Sequence, residues 1–341
     1  MVGKRRSSDP NRPVRVEDVA RVAGVSPITV SRALTNPDKV KEETRRKVAA
    51  AVAQTGYVVN SFASSLRSGR SPIVAVFASK LRNHHFASVL QGCTEALEGN
   101  GLQLLTARLG ESAEEQRRVV AAMAPFRPAA MLFTDLLKPE FDRSVITAQN
   151  VPVVEMWDQR PDPVDMLVTI SEDEAGRLMG HHFAERGFRR IAYAGQLYAR
   201  GRRRVAGFRA ALAEHGLQCD LVMHVERGWE PDAGVEALGD VLGQMPDCDA
   251  ILFGTDILAA GALLAARRRG LRVPDQLGLA GFGDIPLAAF LDPPLTTLEL
   301  SGLEMGRRAG QMLLRRLNGE RVEERTVAFP LHLRSRQSTL G

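Results

Sequence analysis

Residues Val16–Leu34 read VEDVARVAGVSPITVSRAL, and this run decides the architecture of the N-terminal end. Val16, Val19, Ala20 and Ala23 recur three or four residues apart, the spacing of one helix face. Gly24-Val25-Ser26 makes a tight turn, and a second short helix is expected from Pro27. Ser26 suits its cap, because the hydroxyl accepts from a free backbone N–H. Pro27 suits the first helical position, where its missing N–H costs nothing. Two short helices joined by a three-residue turn containing Gly make a helix-turn-helix, whose second helix lies in the major groove of DNA.

Charge is distributed to match. Residues 1–71 hold 14 Lys/Arg against 6 Asp/Glu, whereas the other 270 residues hold 31 against 34. A segregated cationic end is what phosphate binding needs, since released counterions drive the affinity. The bland alternative is a solvated basic arm without a partner. A third helix is expected over about 41–55, with Val48, Ala49, Val52 and Ala53 on one face and Gly56 as its stop. Asn60–Ser68 could form two more turns, too short to be stable alone, which would order only against DNA or a symmetry mate.

At 341 residues the chain has room for two or three domains, and its 44% hydrophobic content is ordinary for a soluble protein. No run approaches the roughly 18–20 apolar residues of a membrane span. MVGKRRSSDP is followed by no apolar stretch, so no secretory signal is expected there. Cys93, Cys219 and Cys248 are scattered, which predicts reduced core thiols, a cytoplasmic location and no metal site. No cofactor is expected.

From residue 72 onward, short apolar runs alternate with helical segments. Strands are expected over 73–78, 102–107, 129–134, 152–156, 190–194, 222–224, 250–253 and 278–281, and helices over 86–99, 113–124, 172–186, 202–215 and 256–270. Continuous apolar strands separated by helices predict parallel α/β structure. Its length exceeds one ordinary sheet, so two subdomains with a cleft between them are expected.

These residues resemble the lactose/galactose repressor family over nearly the whole chain. VEDVARVAGVSPITVSRAL is followed by ETRRKV, GYVVN and ASSLRSGRS. RVAGF (204–208), DAILFGTDILAAGAL, VPDQLGLAGFGD and PPLTTL then fall in the family's order. VPVVEMWD and RRIAYAG extend the likeness, more loosely, toward the gluconate-utilisation repressor branch. The resemblance implies a small all-α helix-turn-helix head at 14–59, a hinge helix at 60–71, and an α/β core shaped like a periplasmic binding protein. That core would have two doubly wound parallel-sheet subdomains, 72–168 with 299–331 and 169–298 with 332–341. It also implies a homodimer on near-palindromic operator DNA, controlled by a small-molecule effector.

Carried over position by position, Pro27, Ile28 and Arg32 would face base edges, with Ser26, Thr29 and Ser31 nearer phosphates. Arg32 can donate two hydrogen bonds to a guanine edge, and Ile28 can touch a thymine methyl. Many relatives have polar or aromatic residues at positions 27 and 28. Ile28 could alternatively belong to the head's core, although Val30 and Ala33 are better placed inward. Tyr57 and Asn60 would sit near the backbone. Leu66 would wedge into the minor groove with its symmetry mate, and Ala63 would let the two hinge helices approach. A linker leucine packing on its own core is the alternative for Leu66.

In such cores the ligand meets loops at the carboxyl ends of strands. Those loops offer Ser79, Lys80, Arg82, Asn83, Phe86, Arg108, Trp157, Asp158, Arg204, Thr255 and Asp256, with Arg204 at the family's pocket arginine. Repressors of neutral sugars usually carry Asn and Asp where Thr255 and Gly283 stand here. Losing both while keeping Lys80, Arg82, Arg108 and Arg204 tilts the pocket toward a carboxylate or phosphate. The expected effector is a sugar acid, gluconate or a keto-gluconate, with phosphorylated sugars next. Lys80, Arg82 and Arg108 could instead be solvated rim charges, Asp256 a structural residue at a helix start, and Trp157 either a stacking wall or core.

Enzymatic readings fail on the residues. Gly281-Phe282-Gly283 begins a dinucleotide fingerprint, but Pro286 occupies its last glycine position. His84/His85 and His181/His182 are adjacent pairs, which diverge on a helix, and no HExxH or GxSxG occurs. A periplasmic sugar-binding protein would need a signal peptide and no DNA head.

Overall fold

The computed structural model describes residues 14–58, 71–78, 84–135, 137–157 and 159–340. By chain contacts it divides into two compact units, Met1–Pro72 and Ile73–Gly341.

The first unit holds three helices, α1 (Val16–Ala23), α2 (Pro27–Thr35) and α3 (Glu42–Thr55). Val19, Ala20, Val30, Ala33, Val48 and Ala51 are buried together as its core. Gly24 ends α1 in the left-handed region at φ 66°, its N–H donating to the Ala20 carbonyl. The Ser26 hydroxyl then accepts from the Thr29 N–H at 3.1 Å and starts α2. The inner face of α3 differs from expectation: Ala51 is buried, while Ala49 and Ala53 are exposed. The apolar positions 48, 51 and 52 follow the helical period, so Ala49 and Ala53 turn to solvent.

The second unit contains two parallel sheets. The larger runs β11-β5-β4-β3-β1-β2, with β1 (Ile73–Ala78), β2 (Gln103–Arg108), β3 (Ala130–Phe133), β4 (Val153–Trp157), β5 (Met166–Thr169) and β11 (Thr326–Ala328). The smaller runs β7-β6-β8-β9, with β6 (Ile191–Gly195), β7 (Cys219–His224), β8 (Ala250–Phe253) and β9 (Gly278–Ala280). All pairings in both sheets are parallel. A short antiparallel pair joins β10 (Thr297–Glu299) and β12 (His332–Arg334). Around the sheets lie α4 (His84–Leu97), α5 (Ala113–Met123), α6 (Ser144–Thr147), α7 (Glu172–Glu185), α8 (Ala199–Glu214), α9 (Pro231–Gln244), α10 (Asp256–Arg268) and α11 (Gly302–Leu317). The chain leaves the larger sheet after β5, builds the smaller one, and returns through α11 to place β11 beside β5.

Most expected strands and helices are present, displaced by a residue or two. The three-residue strands β10 to β12, β5, and helices α6, α9 and α11 were not anticipated. Helix α8 begins at Ala199, three residues before the expected 202, which brings Arg200 onto the helix. Cys93, Cys219 and Cys248 are buried free thiols, each pushed up to about 12 chiefly by burial. Among the described residues no helix is long and apolar enough to cross a membrane.

One helix contact fixes how closely α7 and α8 pack. On α7 and α8, Gly176 and Gly207 let the backbones touch: a Cβ on Gly176 would stand 2.0 Å from the Arg204 carbonyl oxygen, and one on Gly207 2.0 Å from that of Asp173. Gly207→Ala gains about 1 kcal/mol in helix propensity but forces the helices apart, an overpacking cost of about 1–3 kcal/mol. The expected outcome is a lowered urea midpoint; an unchanged midpoint would show that the two helices separate freely.

Candidate functional site

On α2 the structure divides inward from outward residues sharply. Val30 and Ala33 are 0% and 6% exposed, whereas Ile28 is 71% exposed. Pro27 and Arg32 are also exposed, and Ser31 is half-buried. The Ser26 and Thr29 hydroxyls lie 2.8 Å apart in addition to the cap, so both orient the helix start. Tyr57 is half-buried against the head's core. Ile28 and Arg32 thus both stand on the solvent-facing side of α2. Asn60, Ala63 and Leu66 lie outside the described residues.

In the second unit, the pocket candidates that the structure describes stand at or just beyond the carboxyl ends of parallel strands, or on the helices that follow. Ser79, Lys80, Arg82, Asn83 and Asp158 lie outside the described residues. Arg204, on α8, is 6% exposed. Its Nε and Nη2 donate to Glu172 Oε2, at 2.9 and 2.7 Å, and its Nη1 donates to the Gly254 carbonyl at 2.9 Å. Its guanidinium lies 3.3 Å from the centroid of the Phe282 ring. Glu172, the first residue of α7, is itself buried. Sequence reading missed this partner, and its position directly after the Ser171 cap was the signal available. The charge of Arg204 is therefore already matched.

His85 at the start of α4 is 5% exposed. Burial, helped by the charges of His84 and Arg204, holds its imidazole down at about 4, so it is neutral at pH 7. Its ring meets Trp157 edge-on, centroids 6.4 Å apart. Its Nε2 lies 2.3 Å from where a Cβ on Gly283 would stand, and Gly283 has φ 134°. Sterics and backbone together thus keep any side chain off position 283. Trp157 itself has φ 76° and Asp284 φ 55°, a left-handed conformation unusual for an aromatic residue. Such strain, of order 1–3 kcal/mol each, gathers at ligand sites.

The remaining candidates separate from this cluster. Phe86 is 8% exposed and packs into the main core. Arg108 is 66% exposed in its side chain and pairs with Glu111 at 3.5 Å. Thr255 caps α10 by accepting from Leu258 N–H at 3.3 Å, and its hydroxyl donates to the Gly228 carbonyl at 2.6 Å. Asp256 accepts from the Ile285 N–H at 2.8 Å and the Thr297 hydroxyl at 2.5 Å. Burial pushes its carboxyl up to about 6. Both side chains tie the start of α10 to neighbouring loops. Two donors that sequence reading did not single out, the Tyr193 hydroxyl and the Trp229 indole N–H, are buried without a hydrogen-bond partner. Tyr193 Oη lies 3.1 Å from where a Cβ on Gly254 would stand, beside the carbonyl that holds Arg204.

A helix-turn-helix unit and a two-sheet α/β unit with a buried arginine among strand-end loops define a DNA-binding, ligand-responsive regulator. Residues 15–60 match the family described as "Bacterial regulatory proteins, lacI family", and residues 181–339 match the "Periplasmic binding protein-like domain". The chain is 35% identical to the HTH-type transcriptional regulator GntR of Pseudomonas aeruginosa, over 95% of each chain. It is 30% identical to the HTH-type transcriptional repressor PurR of Erwinia tasmaniensis, over 92% of this chain and 93% of that one. A LacI-family regulator from Silicibacter pomeroyi superposes with a TM-score of 0.88 at 33% identity, over 96% of this chain and 99% of that one. The lac repressor dimer bound to operator and the anti-inducer ONPF gives 0.83 at 26% identity, over 97% of this chain and the whole of that one. The chain belongs to the LacI family of bacterial transcriptional regulators, and it is a regulator rather than an enzyme.

Arg204→Ala would leave Glu172 buried, charged and unpaired, at a cost of about 3–5 kcal/mol, whereas replacing both partners together is far cheaper. Chemical unfolding of Arg204→Ala beside Arg204→Met/Glu172→Gln should show a large loss in the first and substantial recovery in the second. A single variant as stable as wild type would refute the buried-pair account.

Proposed function

We propose that this chain is an operator-binding repressor whose DNA affinity is set by a sugar acid, gluconate or a keto-gluconate, closing the cleft between two core lobes. The lobes in this reading are 72–168 with 299–331 and 169–298 with 332–341. The observation that carries the effector class is the exclusion of any side chain at position 283 by the neutral His85 ring. Where relatives that take neutral sugars place a carboxylate, this cleft presents an uncharged imidazole, so an acidic ligand meets no like charge there. The match to GntR-type regulators supports the same class. The comparable match to PurR repressors favours the second reading, a purine or other neutral corepressor held against His85 and Trp157. A phosphorylated sugar would use the same cationic groups as a sugar acid.

On the DNA side, Pro27, Ile28 and Arg32 read base edges in the major groove, Ser26, Thr29, Ser31, Tyr57 and Asn60 hold the backbone, and Ala63 with Leu66 enters the minor groove. A ligand that favours one lobe arrangement shifts the dimer between operator-competent and released states, and the operator must reciprocally weaken or strengthen the ligand. A thermal-shift screen against gluconate, keto-gluconate, glucose, glucose 6-phosphate and hypoxanthine tests the effector class, because selective binding raises the melting temperature. Stabilisation by sugar acids alone, with a change in operator affinity on addition, is the expected result. Stabilisation by glucose or hypoxanthine alone would refute it.

The homodimer in this reading is carried by an exposed apolar surface on the smaller-sheet lobe. Leu264 on α10 is 49% exposed, Leu287 50% and Phe290 83%. Arg267, one turn beyond Leu264, pairs with Asp292 at 3.1 Å, so α10 and the 286–290 turn form one surface. A second copy of the chain would bury it. Phe290→Glu should weaken the dimer by roughly tenfold or more in sedimentation analysis; an unaltered dimer would place the interface elsewhere.

A further inference from the structure

We infer that Arg200, rather than Arg204, receives the acidic group of the effector; this rests on the sugar-acid reading above. The two arginines are four residues apart on α8 and therefore share one helix face. Their forks are in different states. Arg204 gives both Nε and Nη2 to Glu172, gives Nη1 to Gly254, and has its guanidinium carbon 3.3 Å from the Phe282 ring centroid. A second carboxylate could take that edge only by displacing Glu172 and leaving it buried without a partner.

Arg200 presents the same Nε–Nη2 edge half-filled. Its Nη2 stands 3.5 Å from Asp135 Oδ1, just beyond the end of β3 in the other lobe. Its Nε is buried and has no hydrogen-bond partner. A carboxylate fits that edge with two parallel charge-assisted bonds, a geometry that a lone loose contact to Asp135 does not supply. Neighbouring arginines of the run are engaged elsewhere: Arg202 donates to the Leu197 carbonyl at 2.7 Å and Arg203 to that of Gln159 at 3.5 Å. Arg108 points to solvent and pairs with Glu111. Arg200 thus recognises the carboxylate while Arg204 and the uncharged wall of His85 and Trp157 face the rest of the molecule. Because Asp135 and Arg200 sit on opposite lobes, the ligand's carboxylate also replaces a contact that spans the cleft.

The test is calorimetric titration of the full-length protein with gluconate and with its uncharged counterpart glucitol, the unliganded melting temperature serving as the check on folding. Arg200→Gln should lose gluconate affinity on the order of ten- to hundredfold while changing glucitol affinity little. Arg200→Lys, which keeps charge without the fork, should fall between. Asp135→Asn, which removes the competing carboxylate, should bind gluconate at least as tightly as wild type, and it remains informative if Arg200→Gln does not fold. Unchanged gluconate affinity in Arg200→Gln, an equal loss for both ligands, or weakened gluconate binding in Asp135→Asn would each overturn the assignment. A wild-type protein that ignores all sugar acids would instead sink the sugar-acid reading, and this inference with it. Only the wild-type titration can give that result, so the two failures are distinguishable.

Discussion

The ion pair between Arg204 and Glu172 is almost wholly buried, and the segments around it are arranged to match its charge and fill its donors. A guanidinium with almost no exposure needs its charge matched and its donors filled. Glu172, the Gly254 carbonyl and the Phe282 ring meet those needs together. The pair forms only because α7 and α8 touch backbone to backbone at Gly176 and Gly207. Widening that contact by one methyl would draw the carboxylate and the guanidinium apart. Helix packing and the electrostatics of the buried pair are one constraint here.

The same compression recurs where α4 meets the loop after β9. His85 occupies the space that a side chain at position 283 would need. The two residues are therefore coupled: a bulkier residue at 283 requires the imidazole to leave, and the imidazole requires glycine. Desolvation keeps that ring uncharged at neutral pH. The buried histidine is thus a polar side chain that adds no charge beside Trp157 and Gly283 at neutral pH.

How legible this was in the sequence depended on whether the deciding signal was local. The head was readable almost residue by residue, because Gly24, Ser26 and Pro27 act within a few positions of themselves. The long parallel strands were readable from their apolar runs. Strands β10, β11 and β12 were not, since three residues carry no period, and their pairing is fixed by segments up to roughly 160 positions away. Residue types at the carboxyl ends of strands suggested the pocket, but counting cations could not reveal that Arg204 is matched by Glu172 or that Arg108 faces solvent. Nor could it show that Thr255 and Asp256 serve the start of α10. The Arg-Gly-Arg-Arg-Arg run at 200–204 held a further clue, the four-residue spacing of its ends, which placing the helix start at 202 concealed.

Contacts between distant segments of the α/β core differ in kind from one place to another. Near Trp157, His85 packs against Gly283 with its ring buried, a contact of fixed shape. Elsewhere, the Asp135–Arg200 and Gln159–Arg203 contacts are each 3.5 Å long and partly open to water, where polar pairs contribute little. Loose polar contacts of this kind can be exchanged for ligand contacts at small cost, whereas the packed histidine resists displacement. A ligand shifts a two-state equilibrium only by its difference in affinity for the two states. Under the proposed two-lobe, sugar-acid reading, that difference arises chiefly at those long pairs, with the packed contact at His85 as the fulcrum.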